Sequence, residues 1–354
     1  MKAAIIGLPQ SGKSTVFAAA TGKNVDPFAS PQVHSAVVRV PDGRLDWLTQ
    51  LCKPKKTIPA TFELADIPGC ALSDAKGRED WRRLLPTMRD AQLLVVVVRD
   101  FQNPYVPAYG DRIDAQGDFD EVWAELVFSD LEAVTNRITK LDQSLKKPTK
   151  THDAETAEKA LLQRCQQALE AESPLATALH TEAEKVSLSS FGFLTEKPIV
   201  CVRNVSDDCI ASAEPIKADH AVGHVVMSAS IEAEIAQLDS GDRPAFLAEM
   251  GIDTPASDRL IQTCYKALGL ISFLTMGPDE VRAWTIRKGS TAQEAAGKIH
   301  TDLARGFIRA ETVAYDDLVA NANMKGAKAA GKVRKEGKTY VVADGDILNI
   351  LAST

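Results

Sequence analysis

Near the start of the 354-residue chain, the stretch "AIIGLPQSGKST" spaces its residues as Gly7-x-x-x-x-Gly12-Lys13-Ser14, the pattern of a phosphate-binding loop. Its chemistry follows from the residue types. Gly7 and Gly12 let the backbone wrap closely around phosphate oxygens, with Pro9 and Gln10 completing the turn. The amides of Ser11, Gly12, Lys13, Ser14 and Thr15 open a helix, where the backbone dipole favours anions. Lys13 is suited to the β- and γ-phosphates, and the Ser14 hydroxyl to Mg²⁺. An apolar strand precedes the loop and the helical "STVFAAATG" follows it, which is the context this motif requires.

Three further stretches add to it. "FELADIPG" ends a buried strand in Asp66, a candidate to hold Mg²⁺ through water, and Gly69 is placed to turn its amide to a γ-phosphate. "VCVRNVSDDC" delivers Asn204, Val205, Ser206 and Asp207 at a strand end, where nucleotide switches carry Asn-Lys-x-Asp to recognise guanine; here Val205 replaces the Lys. "VVMSASIEAEI" places Ser228, Ala229 and Ser230 after a strand, either as a loop that approaches the base or as an ordinary strand-to-helix turn with Ser230 as its cap.

Such loops need strands to carry them. "LLVVVV" and "IVCV" are apolar without alternation, as in parallel strands covered on both faces. Helical stretches lie between the strands. The alternation predicts an α/β fold with a doubly wound, mostly parallel sheet and ligands at the carboxyl ends of its strands. A chain this long is expected to form two or three domains. Its net charge of −7 argues against non-specific nucleic-acid binding by the whole surface. The six cysteines show no paired spacing, so reduced thiols are expected and neither a disulfide framework nor a zinc site. No signal pattern and no membrane-spanning apolar run is present, and the expectation is a soluble, cytoplasmic protein without a membrane partner.

From Phe119 to about Lys185 the pattern changes. Val127, Leu131, Val134, Ile138, Leu141 and Leu145 form a heptad seam, and a second helix carries Leu161, Leu162, Cys165, Ala168 and Leu169. An inserted helical hairpin over 119–185 follows, either a plain surface arm or an arm that binds a partner. The rest of the α/β domain is expected over 1–118 and 186–269. Beyond it, "EVRAWTI", "TVAYDDL" and "KTYVVADGDILNIL" read as strands and "TAQEAAGKIHTDLARGF" as a helix, a small α+β module over 270–354. Within that module Lys325, Lys328, Lys332, Arg334, Lys335 and Lys338 form a basic stretch, read equally as a contact for RNA phosphates or as a solvated helix face.

The chain resembles the YchF/Obg-like ATPase family nearly end to end. The resemblance is carried by "GLPQSGKST", "PFAS", "VPDGRLDWL", "DIPG", "SASIEAEIAQL", "DRLIQTCYKALGL", "EVRAWTI", "KIHTDLARGFIRAETVAYDDL" and "GAKAAGKVRKEGKTYVVADGDIL". It implies a P-loop G domain, a coiled-coil insertion and a C-terminal TGS module of the ubiquitin-like β-grasp kind. It also implies Mg²⁺-dependent hydrolysis of ATP or GTP and association with ribosomes or RNA through the arm and the TGS module. The departures are specific. Gln10-Ser11 stands where the family has Asn-Val. The switch Thr that meets Mg²⁺ falls on Ser30. The slot of the catalytic Gln of ordinary GTPases falls on Cys70, and the family's loop His falls on Ala108. No catalytic side chain is assigned, and a nucleotide-dependent adaptor that hydrolyses little stands as the alternative. The remaining histidines, His34 among them, are read as surface or packing residues.

Overall fold

The computed structural model describes residues 1–23, 32–146, 151–210, 212–239 and 241–353, and the expected Mg²⁺ contact Ser30 lies outside them. In chain order the elements are β1 (Lys2–Ile6), α1 (Lys13–Thr21), β2 (His34–Arg39), α2 (Gly43–Cys52), β3 (Lys56–Ile58), β4 (Thr61–Asp66), α3 (Ala75–Asp90), β5 (Leu93–Asp100), α4 (Ala115–Ser144), α5 (His152–Glu170), α6 (Glu182–Leu188), β6 (Ile199–Val205), β7 (Ala221–Met227), α7 (Ala229–Gln237), α8 (Arg243–Glu249) and α9 (Ala256–Ala267). There follow β8 (Leu270–Thr275), β9 (Glu280–Arg287), α10 (Ala292–Ile299), α11 (Thr301–Arg305), β10 (Phe307–Ala314), α12 (Tyr315–Ala320), α13 (Met324–Ala329), β11 (Arg334–Glu336) and β12 (Asp346–Ala352). They divide into two compact units, residues 1–36 with 63–260 and residues 37–62 with 261–354.

The first unit is built on a sheet ordered β2-β4-β1-β5-β6-β7. β1 pairs in parallel with β4 and β5, β5 with β6, and β6 with β7. The unbroken apolar run of β5 finds its reason here: Leu93 to Val98 are buried on both faces. Each such side chain taken fully from water contributes about 1.5–3 kcal/mol. The carboxyl ends of β1, β4 and β6 hand the chain to the 7–12 loop, to Asp66 and to Asn204-Val205, as the sequence pattern requires.

The heptad seam lies on α4, with Val127, Val134 and Leu141 buried, and it meets Leu162, Cys165 and Leu169 of α5 in one apolar cluster. Two ion pairs cross between the helices, Arg137 Nε to Glu158 Oε1 at 2.8 Å and Lys159 Nζ to Asp142 Oδ1 at 2.6 Å. The helix starts at Ala115, before the expected edge of the insertion. Phe119, Val122, Trp123 and Leu126 share the core with Leu94, Val96 and Val98, so the first part of α4 packs as a helix of the sheet.

The second unit carries a sheet ordered β11-β10-β12-β8-β9-β3. β8 and β9 form an antiparallel pair, as do β10 and β12, while β12 meets β8 in parallel. Phe273, Ile286, Ala295, Ala296, Ala310 and Leu348 fill its core. Residues 37–62, expected with the α/β domain, join this unit because β3 pairs in parallel with β9 and Arg44 Nη1 binds Asp344 Oδ2 at 2.9 Å. Two local readings differ from the structure. "TVAYDDL" leaves the strand at Ala314 and turns helical at Tyr315. In "KTYVVADGDILNIL" only Asp346 onward is a strand, and Val341 makes a single bridge to Thr291. The basic stretch is not one helix face either: α13 ends at Ala329, Gly331 turns left-handed at φ 70°, and Arg334 begins β11.

Among the described residues no helix is long and apolar enough to cross a membrane, and no cluster of three or more His, Cys, Asp or Glu is arranged to hold a metal. All six cysteines are free.

Candidate functional site

A cleft of about 750 Å³ opens at the carboxyl ends of the first unit's strands. Pro9, Gln10, Gly12, Lys13, Ser14, Thr15, Asp66, Gly69, Asn204, Val205, Asp207, Ala229 and Ser230 line it. Gly7, Ser11 and Ser228 do not; Ser11 and Ser228 are each 1% exposed. The sequence motifs, separated by as much as 221 positions from Pro9 to Ser230, are thus brought to one cavity by the parallel topology.

At one end the 7–12 loop enters α1. Gly12 is the N-cap at φ 90°, and no side chain caps the first-turn amides. A Cβ there would fall on Asn204 Nδ2, so this position requires glycine for both conformation and space. Lys13 is buried and donates to Leu8 O at 2.6 Å and to Ser11 Oγ at 3.5 Å. Burial pulls its ammonium down to about 8, against the field of Asp66. Ser14 Oγ donates to Asp66 Oδ2 at 2.6 Å, while Asp66 Oδ1 is buried without a hydrogen-bond partner. Burial raises the Asp66 carboxyl, and Ser14, Lys13 and His34 oppose that rise. A buried carboxylate oxygen left open beside a serine hydroxyl and a lysine is a donor set that fits Mg²⁺ on a phosphate. A Cβ on Gly69 would stand 2.9 Å from the Pro9 backbone and 2.6 Å from Lys13 Nζ, so a bare backbone is needed where that loop passes the phosphate loop.

At the other end Asn204 spans two loops. Its Nδ2 donates to Ser11 O at 3.1 Å, and its Oδ1 accepts the Ala229 amide at 3.0 Å. Asp207 Oδ1 accepts the hydroxyls of Ser228 and of Ser230, the latter at 2.9 Å. The N-cap of α7 is Ser228, not Ser230, because the helix opens at Ala229, and the Ser230 hydroxyl is turned to Asp207 instead.

This geometry agrees with the known proteins the chain resembles. Residues 2–148 match the family described as "50S ribosome-binding GTPase", and residues 270–353 match the YchF-GTPase_C family, "Protein of unknown function (DUF933)". A "Ribosome-binding ATPase YchF" of Bacillus subtilis is 40% identical over 99% of this chain and 98% of its own length. The protein of that name from Escherichia coli O157:H7 is 37% identical over the same shares. The solved structure of the Schizosaccharomyces pombe YchF GTPase superimposes with a TM-score of 0.81 at 28% identity, covering 99% of this chain and 97% of that one. The chain belongs to the YchF family.

Within that YchF frame its departures are now located. Cys70 is 5% exposed and turns its thiol to Pro68 O at 3.8 Å; burial pushes that thiol up to about 11. Ala108 is half-buried and offers only a methyl group. His34, read from sequence as a bland residue, lines the cleft with Gln32, and so do Phe101, Gln102, Asn103, Val106 and Ser206. Arg99 was passed over as well: it is 3% exposed and its guanidinium lies 4.4 Å from the Phe101 ring centroid. A lone Arg ending an apolar strand, in "LLVVVVRDF", was the available signal, because a buried cation demands a reason.

Proposed function

We propose that this chain binds purine nucleoside triphosphates with Mg²⁺ in the cleft, hydrolyses them slowly, and works in association with the ribosome. The observation that carries the reading is the convergence of Lys13, Ser14 and Asp66 at the opening of α1 inside a single cavity. The α1 amides and the Lys13 ammonium are the anion donors, held by the loop before any ligand arrives, so little reorganisation opposes binding. Mg²⁺, when bound, neutralises charge on the β- and γ-phosphates, and Ser14 with Asp66 would hold it. Asn204 ties the phosphate loop to the base loop, and Asp207 with Ala229 and Ser230 faces the purine edge. Ribosome association is supported by the names of the relatives, and the arm of α4 and α5 and the basic stretch of the TGS-like module are the surfaces offered for it.

One observation favours a second reading, the adaptor that binds nucleotide and barely turns it over. Cys70 faces a backbone carbonyl and Ala108 carries no polar atom, so neither orients a water. Single-turnover hydrolysis of radiolabelled ATP and GTP, with and without ribosomes, separates the two. The expected rate for the chain alone is roughly 10⁻⁴ to 10⁻³ per second, that of a GTPase without its activator, and ribosomes raise it. Tight binding without turnover in either condition selects the adaptor.

A further inference from the structure

Among the described residues the Arg99 guanidinium gives every one of its hydrogen bonds to a backbone carbonyl, while the Arg99 backbone N–H goes to the Asp118 carboxyl. Nε donates to Phe101 O at 3.1 Å and Nη2 to Val106 O at 2.8 Å. Nη1 donates to Pro107 O at 3.1 Å and to Gln10 O at 3.4 Å. Among the described residues no carboxylate lies within ion-pair distance, although a cation this deeply buried is ordinarily paired. Three of these carbonyls belong to its own loop; the fourth belongs to the phosphate loop. Gln10 sits at φ 60°, a left-handed conformation that a non-glycine residue adopts only when its surroundings impose it.

A trans peptide points its C=O and its N–H in opposite directions. Arg99 is buried and does not line the cleft, while Gln10 and Gly12 do. With the Gln10 carbonyl drawn to the guanidinium, the Ser11 N–H of the same peptide points away from Arg99. Asn204 acts likewise on the next peptide, holding Ser11 O at 3.1 Å and turning the Gly12 N–H. Two consecutive amides are thus aimed by side-chain donors on their carbonyls, which is how a backbone concavity for anions is preset.

We propose that Arg99 is a positioning residue for the phosphate site: by holding the Gln10 carbonyl it fixes the Ser11 amide as a donor to a ligand's phosphate. The proposal rests on the reading of the cleft as a nucleotide site. Its test is calorimetry of ATP and of inorganic pyrophosphate on wild type, Arg99→Met and Arg99→Lys, with kcat and KM beside it. Arg99→Met weakens both ligands alike, about ten- to hundredfold, and raises KM more than it lowers kcat. Arg99→Lys, with a cation but fewer donors, recovers part of the loss. A residue that merely staples the 101–107 loop would weaken ATP and spare pyrophosphate; that result overturns the proposal, as does a folded variant with unchanged affinity for both. Should neither variant fold, the wild type decides through its Ser11 amide resonance. The resonance must move on adding pyrophosphate, and an unmoved one overturns the proposal. A wild type that binds neither ATP nor pyrophosphate overturns the nucleotide reading itself.

Discussion

Two buried cations of the first unit and the basic stretch of the second are held in opposite ways. In the first, Lys13 and Arg99 are 6% and 3% exposed, and they spend their donors on carbonyls and a hydroxyl with no carboxylate in ion-pair contact among the described residues. In the second, Lys328 meets Glu311 at 3.6 Å, Lys332 meets Asp317 at 3.0 Å and Arg334 meets Asp346 at 3.6 Å, all from positions about half exposed. A buried cation without a carboxylate in contact keeps much of its field, although Asp66 acts on Lys13 and Asp118 on Arg99, and at Lys13 that field is left for an anion that arrives later. An exposed, paired one has its field cancelled locally and screened by salt. The difference teaches where strong anion recognition belongs in this chain. The basic stretch, for all its lysines, keeps only Lys325, Lys335 and Lys338 outside ion pairs among the described residues, so any contact it made with an anion would be the weaker and more salt-dependent of the two.

The comparison breaks most visibly at Lys13. Lys13→Ala should lose about 2–5 kcal/mol of triphosphate binding while melting normally, because a desolvated phosphate contact disappears. Calorimetry of a folded variant with wild-type affinity would end the account of that cation. At the far end of the cleft the charge is negative. Asp207 is held by the Ser228 and Ser230 hydroxyls; on the proposed reading its carboxylate would accept from guanine N1–H and N2–H and meet the N1 lone pair of adenine unfavourably. Asp207→Glu should disturb both serine contacts and shift the ATP-to-GTP affinity ratio several-fold toward ATP. An unchanged ratio in competition binding removes Asp207 from base reading.

Arg112 with Asp118 is an intermediate case, and it carries a pH signature. Asp118 Oδ1 lies 3.1 Å from Arg112 Nη1, yet burial pushes this carboxyl up to about 6. An unfolded Asp releases its proton near pH 4, so between about pH 4 and 6 the folded chain holds more protons and stability falls as pH rises through that window. Asp118→Asn removes this slope: its melting temperature relative to wild type should be higher at pH 7 than at pH 4. The same offset at both pH values, or the reverse order, contradicts the assignment. The smallest effect is expected where the cations are exposed. Lys328→Ala and Lys332→Ala should each change stability by no more than about 1 kcal/mol in chemical denaturation and leave ATP affinity untouched.

The phosphate end was legible because its chemistry is local. Gly12, Lys13 and Ser14 are consecutive, and one turn of backbone fixes what they do. The parallel sheet was legible in the apolar runs of β5 and β6. What sequence hid was contact between distant backbones. Arg99 reaches Gln10 across eighty-nine positions through a carbonyl, and carbonyls leave no trace in residue type. His34 enters the cleft because β2 lies beside β4 in the sheet, a neighbour relation that its own stretch "VHSAVVRV" does not encode. The assignment of residues 37–62 rests on β3 pairing with β9, more than two hundred positions away. The basic stretch looked like one helix since lysines and alanines favour helix, but the left-handed turn at Gly331 overrides that preference.

The account stands on the cleft being a Mg²⁺-assisted triphosphate site, and calorimetric titration of the wild-type chain with ATP, in Mg²⁺ and then in excess chelator, tests it most directly. The predicted result is saturable one-site binding that weakens several-fold or more when Mg²⁺ is removed, since the open Asp66 oxygen and the Ser14 hydroxyl then lose their bridge to the phosphates. No saturable binding, or binding indifferent to Mg²⁺, would contradict it.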